Sequence, residues 1–301
     1  MLKNLNNKYF KIFLISFILL YFYITLDLNY LFKEFKSFNK NYFLLSILLF
    51  FPNTFLVIYK WYLLTKKFSN DNLIFLYKKF TYTFFLADLI HNPAVIEISK
   101  FISLKKISKL ERTAIIINDK IIIILTKIIY SFFFLFLIYG AEIIEFFFYI
   151  FNEKKIYFSL IIFSILFVII VLKFKEYILR YYIKYLSSKI IERRKICLIE
   201  IVRNILMSCL YFLSFLQFTS FENALLFSAL SPLIETLIRL QFITAFGFRE
   251  IIIFNFGNYL GLDQKVILSS LFISLVVYSI SVLNLLLSLT IINKVNKKKF
   301  N

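Results

Sequence analysis

Glycine and proline are nearly missing from this chain, at 4 and 3 residues in 301. No phosphate-binding glycine loop and no nucleophile elbow appear. The single histidine, His91, cannot supply a metal set. Imidazole acid–base catalysis needs a base and a group that orients it, so a polar loop-tip role is the plainer reading of His91. The two cysteines, Cys197 and Cys209, lack zinc-type spacing. On one helix they stand roughly 18 Å apart at about 1.5 Å per residue, too far for a disulfide with each other. Redox compartment is left open by this count. Alanine is scarce too, while isoleucine, phenylalanine, lysine and asparagine are heavily used. An AT-rich coding sequence would produce that bias, so a routine lysine in place of arginine carries little weight.

Charge is also in short supply, at 18% of residues against about a quarter in soluble domains. In its place stand 61% hydrophobic and 21% aromatic residues, with a mean hydropathy of +0.82. This is the composition of an integral membrane protein. The net charge of +19 would suggest nucleic acid in a soluble protein. Here the lysines sit in short loops between apolar runs, where they orient spans and favour anionic lipid head groups, so no nucleic-acid partner is expected. The N-terminus has a basic start and an apolar core without a small-residue cleavage site, and reads as a retained first helix.

A span needs roughly 20 apolar residues for a hydrocarbon core of about 30 Å. Six segments qualify: residues 10–26, 42–59, 113–139, 156–172, 196–219 and 266–292. Lys3, Lys8 and Lys11 put the N-terminus in the cytoplasm, and the closing KVNKKKF puts the C-terminus there too. Trp61 and Tyr62 fall where an interfacial aromatic anchor belongs.

Two apolar segments remain. Residues 73–101 are flanked by Lys60, Lys66 and Lys67 on one side and by Lys100, Lys105, Lys106, Lys109 and Arg112 on the other. With both flanks cytoplasmic, the segment must enter and leave on one side, bending near His91-Asn92-Pro93, where proline breaks the helix. Residues 222–265 must by the same reasoning begin and end outside. The expectation is an all-α, polytopic helical membrane protein with six full spans and two oppositely entered re-entrant elements in an inverted repeat, a transporter architecture. A single integral membrane domain covers residues 1–301: first span and linker 1–41, half-repeats 42–139 and 196–292, a connecting span and basic loop 140–195, and a basic tail 293–301.

Charges at a span centre cost about 2.5–3.5 kcal/mol each on insertion scales, so each needs a reason. Lys60, Lys78 and Lys79 can snorkel to the interface. Glu97 and Lys100 lie three apart on the second arm of the first re-entrant element, and Asp119, Lys120 and Lys127 lie within the third span. Glu200 and Arg203 pair in the fifth span on the face of Asn204, Glu235 and Arg239 follow Pro232 at i,i+4, and Arg249 and Glu250 close the second element. Either these are ion pairs that hold short helices together, or they line a cavity. Gly257 and Gly261 read as loop and cap residues.

The stretch PAVIEISKFISLKKISKLERTAIIINDK resembles the lysylphosphatidylglycerol synthase transmembrane region, the flippase-like domain family. Pro93 and Ala94 stand at the family's Pro-Gly turn, Glu97-Ile-Ser-Lys100 at its Glu-x-x-Arg, and Asp119-Lys120 at its acidic-Arg pair. Gly247-Phe-Arg249-Glu250 and then Gly261 look like its Gly-x-Arg-Glu block and downstream glycine. The likeness covers roughly residues 40–292. Both arginines of the first half are lysine here, which keeps the charge and loses the bidentate fork.

The resemblance implies a translocase of phospholipids or lipid-linked substrates in the cytoplasmic (inner) membrane of a bacterium. Its substrate path would be lined by Pro93, Glu97, Lys100, Asp119, Lys120, Arg239, Gly247, Arg249 and Glu250. Lys100, Lys120, Arg239 and Arg249 would receive an anionic head group, with Glu97, Asp119 and Glu250 holding those cations or meeting a cationic one. Membrane lipids are the expected partners, and no cofactor or metal is called for. The chain runs only a few residues past its last span, so no aminoacyl-transfer domain and no synthase activity are expected, and without a catalytic constellation no enzyme activity is expected either. The alternatives are a non-transporting partner of a lipid-modifying enzyme or glycosyltransferase, and an intramembrane lipid-modifying enzyme.

Overall fold

The computed structural model describes residues 29, 33–34, 36, 38–66, 68–69, 71–89, 94–105, 107–140, 193–240, 248–259, 262 and 264–300. All regular structure among them is helical. The helices are α1 (Lys40–Phe50), α2 (Pro52–Thr65), α3 (Leu73–Leu89), α4 (Ala94–Ser103), α5 (Lys109–Tyr139), α6 (Arg193–Leu216), α7 (Phe221–Leu240), α8 (Phe248–Tyr259) and α9 (Lys265–Phe300).

Among the described residues, four stretches are long and apolar enough to cross a membrane: Lys40–Thr65, Glu111–Ile138, Arg194–Leu216 and Lys265–Thr290. They fall on four of the six expected spans, and the other two, residues 10–26 and 156–172, lie outside the described residues. The chain is a helical membrane protein. Large apolar side chains such as Leu48, Ile129, Phe133 and Leu137 point outward, as a lipid-facing surface requires.

Local chemistry sets the helix ends. Asn72 Oδ1 accepts from the Phe75 N–H at 2.7 Å to start α3. Ser108 and Glu111 form a reciprocal capping box that starts α5. Pro52, at the first position of α2, divides the first described span into α1 and α2, and proline tolerates that place because its missing N–H has no partner there. Phe51 stays helical at φ −51 and ψ −42, so the two pieces continue one another.

The segment 73–101 resolves into two helices, α3 and α4, with the expected bend at His91–Pro93 outside the described residues. They pack together, and the Thr83 and Ser99 hydroxyls meet at 3.2 Å. The segment 222–265 likewise gives α7, which runs through Pro232, and the shorter α8. Gly257 sits inside α8 instead of in a loop or cap. A Cβ there would come within 3.0 Å of Val266 Cγ1, so its bare backbone lets the start of α9 close on α8. Helix α9 carries the expected span 266–292 and continues as helix to Phe300, because lysine sustains a helix as well as most apolar residues do.

Packing between the two sequence halves is reciprocal. Helix α3 lies on α9, and α7 lies on α5, so each half's longer hairpin arm packs on the other half's last long helix. Tyr77 donates to Asn284 Oδ1 at 2.6 Å, and Ser281 donates to Asp88. Leu135 of α5 is clustered with Leu226 and Ala229 of α7. Helix α6 contacts α1, α2, α5, α7 and α9 and is the central post of the bundle.

Among the described residues the interior has two main apolar cores. One gathers Phe50, Tyr211, Phe215, Phe227 and Phe272 around α6 and α9. The other gathers Ile58, Trp61, Phe80, Ile115 and Ile196 around α2, α3, α5 and the start of α6. Charged side chains thread the second core.

Candidate functional site

Seven ionisable side chains from α2, α4, α5 and α6 form one chain of alternating sign. It begins at Lys120, whose Nζ donates to Glu97 Oε1 at 2.7 Å. Lys100 Nζ lies 3.4 Å from the same Glu97 oxygen and donates to Asp119 Oδ2 at 2.8 Å. The other Asp119 oxygen is 2.5 Å from Lys60 Nζ. Lys60 also reaches Glu200, whose Oε1 accepts from Arg203 Nη1 at 2.6 Å. Arg203 ends the chain by donating from Nε to Asn53 Oδ1 at 3.0 Å.

Helical spacing explains why these groups meet. Glu97 and Lys100 lie on one face of α4, as do Glu200 and Arg203 on α6, each pair at i,i+3. Asp119 and Lys120 are adjacent on α5, so they point about 100° apart, one inward to Lys60 and Lys100 and the other toward the rim. Pro52 starts α2, which carries Asn53 at its N-terminal end toward Arg203 and Lys60 two turns further on.

Exposure falls from Lys120 to the middle of the chain and rises only to 8% at Arg203. The Lys120 and Glu97 side chains are 39% and 31% exposed, Lys100 is 5%, and Asp119, Lys60 and Glu200 are at most 1%. Trp61 lies under the buried section, its ring centroid 5.3 Å from Lys100 Nζ. Its indole N–H donates to Ser103 Oγ at 3.3 Å, and Ser103 in turn donates to the Lys100 carbonyl at 2.6 Å. The arrangement therefore has a wet end made of one cation and one carboxylate, continuous with a dry interior. Glu97 Oε2 and Glu200 Oε2 are buried and accept no hydrogen bond.

Four of the expected site residues, Glu97, Lys100, Asp119 and Lys120, are brought together here. Glu250 is not part of this chain. It is buried on α8 and accepts from Ser270 and Ser274 of α9 at 3.2 and 3.3 Å. Pro93 and Gly247 lie outside the described residues, as do the side chains of Arg239 and Arg249. Glu235, expected to pair with Arg239, accepts from Tyr211 Oη at 2.9 Å.

Sequence reasoning missed the centre of the chain. Lys60 was expected to snorkel, yet it is 1% exposed between two carboxylates. Trp61 was expected at the membrane interface, yet it is 1% exposed in the apolar core. Glu200 and Arg203 were visible as a local pair only. The one available signal for Lys60 was its place inside an apolar run, six residues before Lys66.

A second polar seam lies higher on α6. Pro232 has no N–H to give the Ser228 carbonyl, and that carbonyl accepts instead from Ser208 Oγ and Ser231 Oγ, each at 2.8 Å. The proline is thus tolerated inside a helix because neighbouring hydroxyls replace the lost backbone bond.

The chain matches no protein-family model, no curated protein and no solved structure. Its class follows from composition and fold alone: a helical membrane protein with a buried ladder of alternating charge.

Proposed function

We propose that this protein is a translocase for phospholipids or lipid-linked molecules with anionic head groups, and not an enzyme. The observation that carries the reading is the ion ladder, open at Lys120–Glu97 and buried from Lys100 to Arg203. Ion pairs of this kind are poor stabilisers, since apolar residues of similar volume often serve as well or better. Seven such groups in one apolar bundle are better explained by a polar head group that has to pass or dwell there. Lys120 offers the first contact, and Lys100 lies one carboxylate further in.

The architecture proposed with this function has six spans, both termini in the cytoplasm and two re-entrant hairpins, α3–α4 and α7–α8, related by an inverted repeat. The reciprocal packing of α3 on α9 and α7 on α5 supports it, because an internal two-fold pairs elements in that crossed way. The resemblance to the flippase-like family points in the same direction.

The test is leaflet exchange of fluorescent phosphatidylglycerol in vesicles containing the purified protein. The wild-type protein should accelerate exchange, and Lys120→Gln should slow it about tenfold, the loss expected when a charge-assisted contact of roughly 1.5 kcal/mol is removed. Exchange no faster than in empty vesicles overturns the translocase reading.

A further inference from the structure

Lys100 and Lys120 are both engaged by a single atom, Glu97 Oε1. An incoming anion can reach these two cations only by displacing a carboxylate. Asp119 and Glu200 are unsuited to leave, because each is held by two cations in a dry setting: Asp119 by Lys60 and Lys100, Glu200 by Lys60 and Arg203. Glu97 is also held by two cations, but it alone of the three carboxylates has a side chain that reaches water, and like Glu200 it has a second oxygen with no hydrogen bond to lose.

We propose that Glu97 is a proton-coupling group, so that an anionic phosphate ester enters this site together with one proton. The inference rests on the anion-binding reading above. As the phosphate oxygen takes the two lysines, the Glu97 carboxylate loses both its counter-ions while still largely enclosed. A lone carboxylate there is far costlier than a carboxylic acid. Glu97 therefore takes a proton from the water at the open end, forming one O–H bond and no other covalent bond. One negative charge enters with the phosphate and one is neutralised on Glu97, so the charge of the site does not change. On release, the proton returns to water as Glu97 recovers Lys100 and Lys120.

The surroundings of Glu97 leave this exchange to it. On its own helix, Lys100 faces it, and from α5 come Lys120 and Asp119. Helix α3 offers α4 the Thr83 hydroxyl, taken by Ser99, while Tyr77 and Asp88 turn to α9 and Lys79 lies toward Asp71 and Lys105. From α2, Lys60 reaches Asp119, and Trp61 lies against Lys100.

Linkage gives the sign. A site that takes up one proton with its ligand binds more weakly as pH rises, by up to about tenfold per pH unit above the titration of Glu97 in the free protein. Calorimetric titration of the full-length protein in detergent, with dihexanoylphosphatidylglycerol as probe, reads this directly when repeated in buffers of different ionisation enthalpy. Inorganic phosphate in a parallel titration separates a lipid head group from a free anion. The expected result is uptake of about one proton per lipid bound by the wild-type protein, and none by Glu97→Gln, whose binding should lose its pH dependence. Binding by the wild-type protein without proton uptake overturns the coupling and leaves the translocase reading standing. Uptake that persists in Glu97→Gln places the proton elsewhere and also overturns it. If the wild-type protein binds neither probe, the anion site itself falls. Should Glu97→Gln not fold, the wild-type buffer dependence still decides.

Discussion

Lys60 of α2 joins Asp119 of α5 to Glu200 of α6, so one ammonium ties together three helices that are far apart in sequence. Removing it leaves two buried carboxylates with one cation each, Lys100 for Asp119 and Arg203 for Glu200. Lys60→Met should therefore destabilise the protein by about 3 kcal/mol, near the lower end for breaking a buried ion pair. Thermal unfolding in detergent measures this, and adding Asp119→Asn to Lys60→Met should restore part of the loss. A Lys60→Met protein as stable as the wild type would show that the bridge contributes nothing.

Lys100 and Lys120 should respond differently to neutralisation. Lys100→Gln strips a buried cation from between Asp119 and Glu97, so the expected loss is in yield and unfolding temperature as well as exchange. Lys120→Gln, at the open end, should keep near-wild-type stability and lose exchange. Equal stability of the two variants would contradict the gradient of burial along the ladder.

The hairpin reading of α3 and α4 makes a topological prediction. Helix α3 starts just after Ser69 and α4 ends just before Lys105. Cysteines at positions 69 and 105 should both react with an impermeant thiol reagent from the cytoplasmic face only, and one replacing Glu222 from the opposite face only. Labelling of positions 69 and 105 from opposite faces would make the segment a full crossing and remove the inverted repeat.

Ser208 and Pro232 should be coupled. The Ser208 and Ser231 hydroxyls together replace a backbone donor that Pro232 lacks, so Ser208→Ala, which leaves Ser231 on that carbonyl, should cost about 1 kcal/mol, the net worth of one hydrogen bond. In a Pro232→Ala background the helix supplies its own N–H, and the same substitution should cost less than about 0.5 kcal/mol. A double-mutant cycle on unfolding free energies measures the difference.

How much of this was legible in the sequence depends on distance along the chain. The four described spans were visible as apolar runs, and the division of residues 73–101 and 222–265 into paired helices was signalled by polar and turn residues within them. Glu97 with Lys100, and Asp119 with Lys120, could be grouped because each pair is local and the two pairs flank one short connection. Lys60, Glu200 and Arg203 could not be joined to them. In sequence they stand 59 residues before Asp119 and 81 and 84 residues after it, and nothing in α2 or α6 alone says which neighbour its charge will meet.

The sequence by itself determined that the protein is helical and lodged in a membrane, where its long spans lie, and that its apolar interior would have to accommodate charge. Only the tertiary structure decided which charges meet, which of them stay wet, and that Trp61 closes over Lys100 instead of marking an interface. The physical reason is that span helices are apolar on nearly every side, because lipid and protein interior are equally apolar surroundings. Hydropathy therefore fixes a span's length without fixing its rotation. Rotation follows from packing and from the ion pairs themselves, with Lys60 of α2 joining α5 and α6 through Asp119 and Glu200.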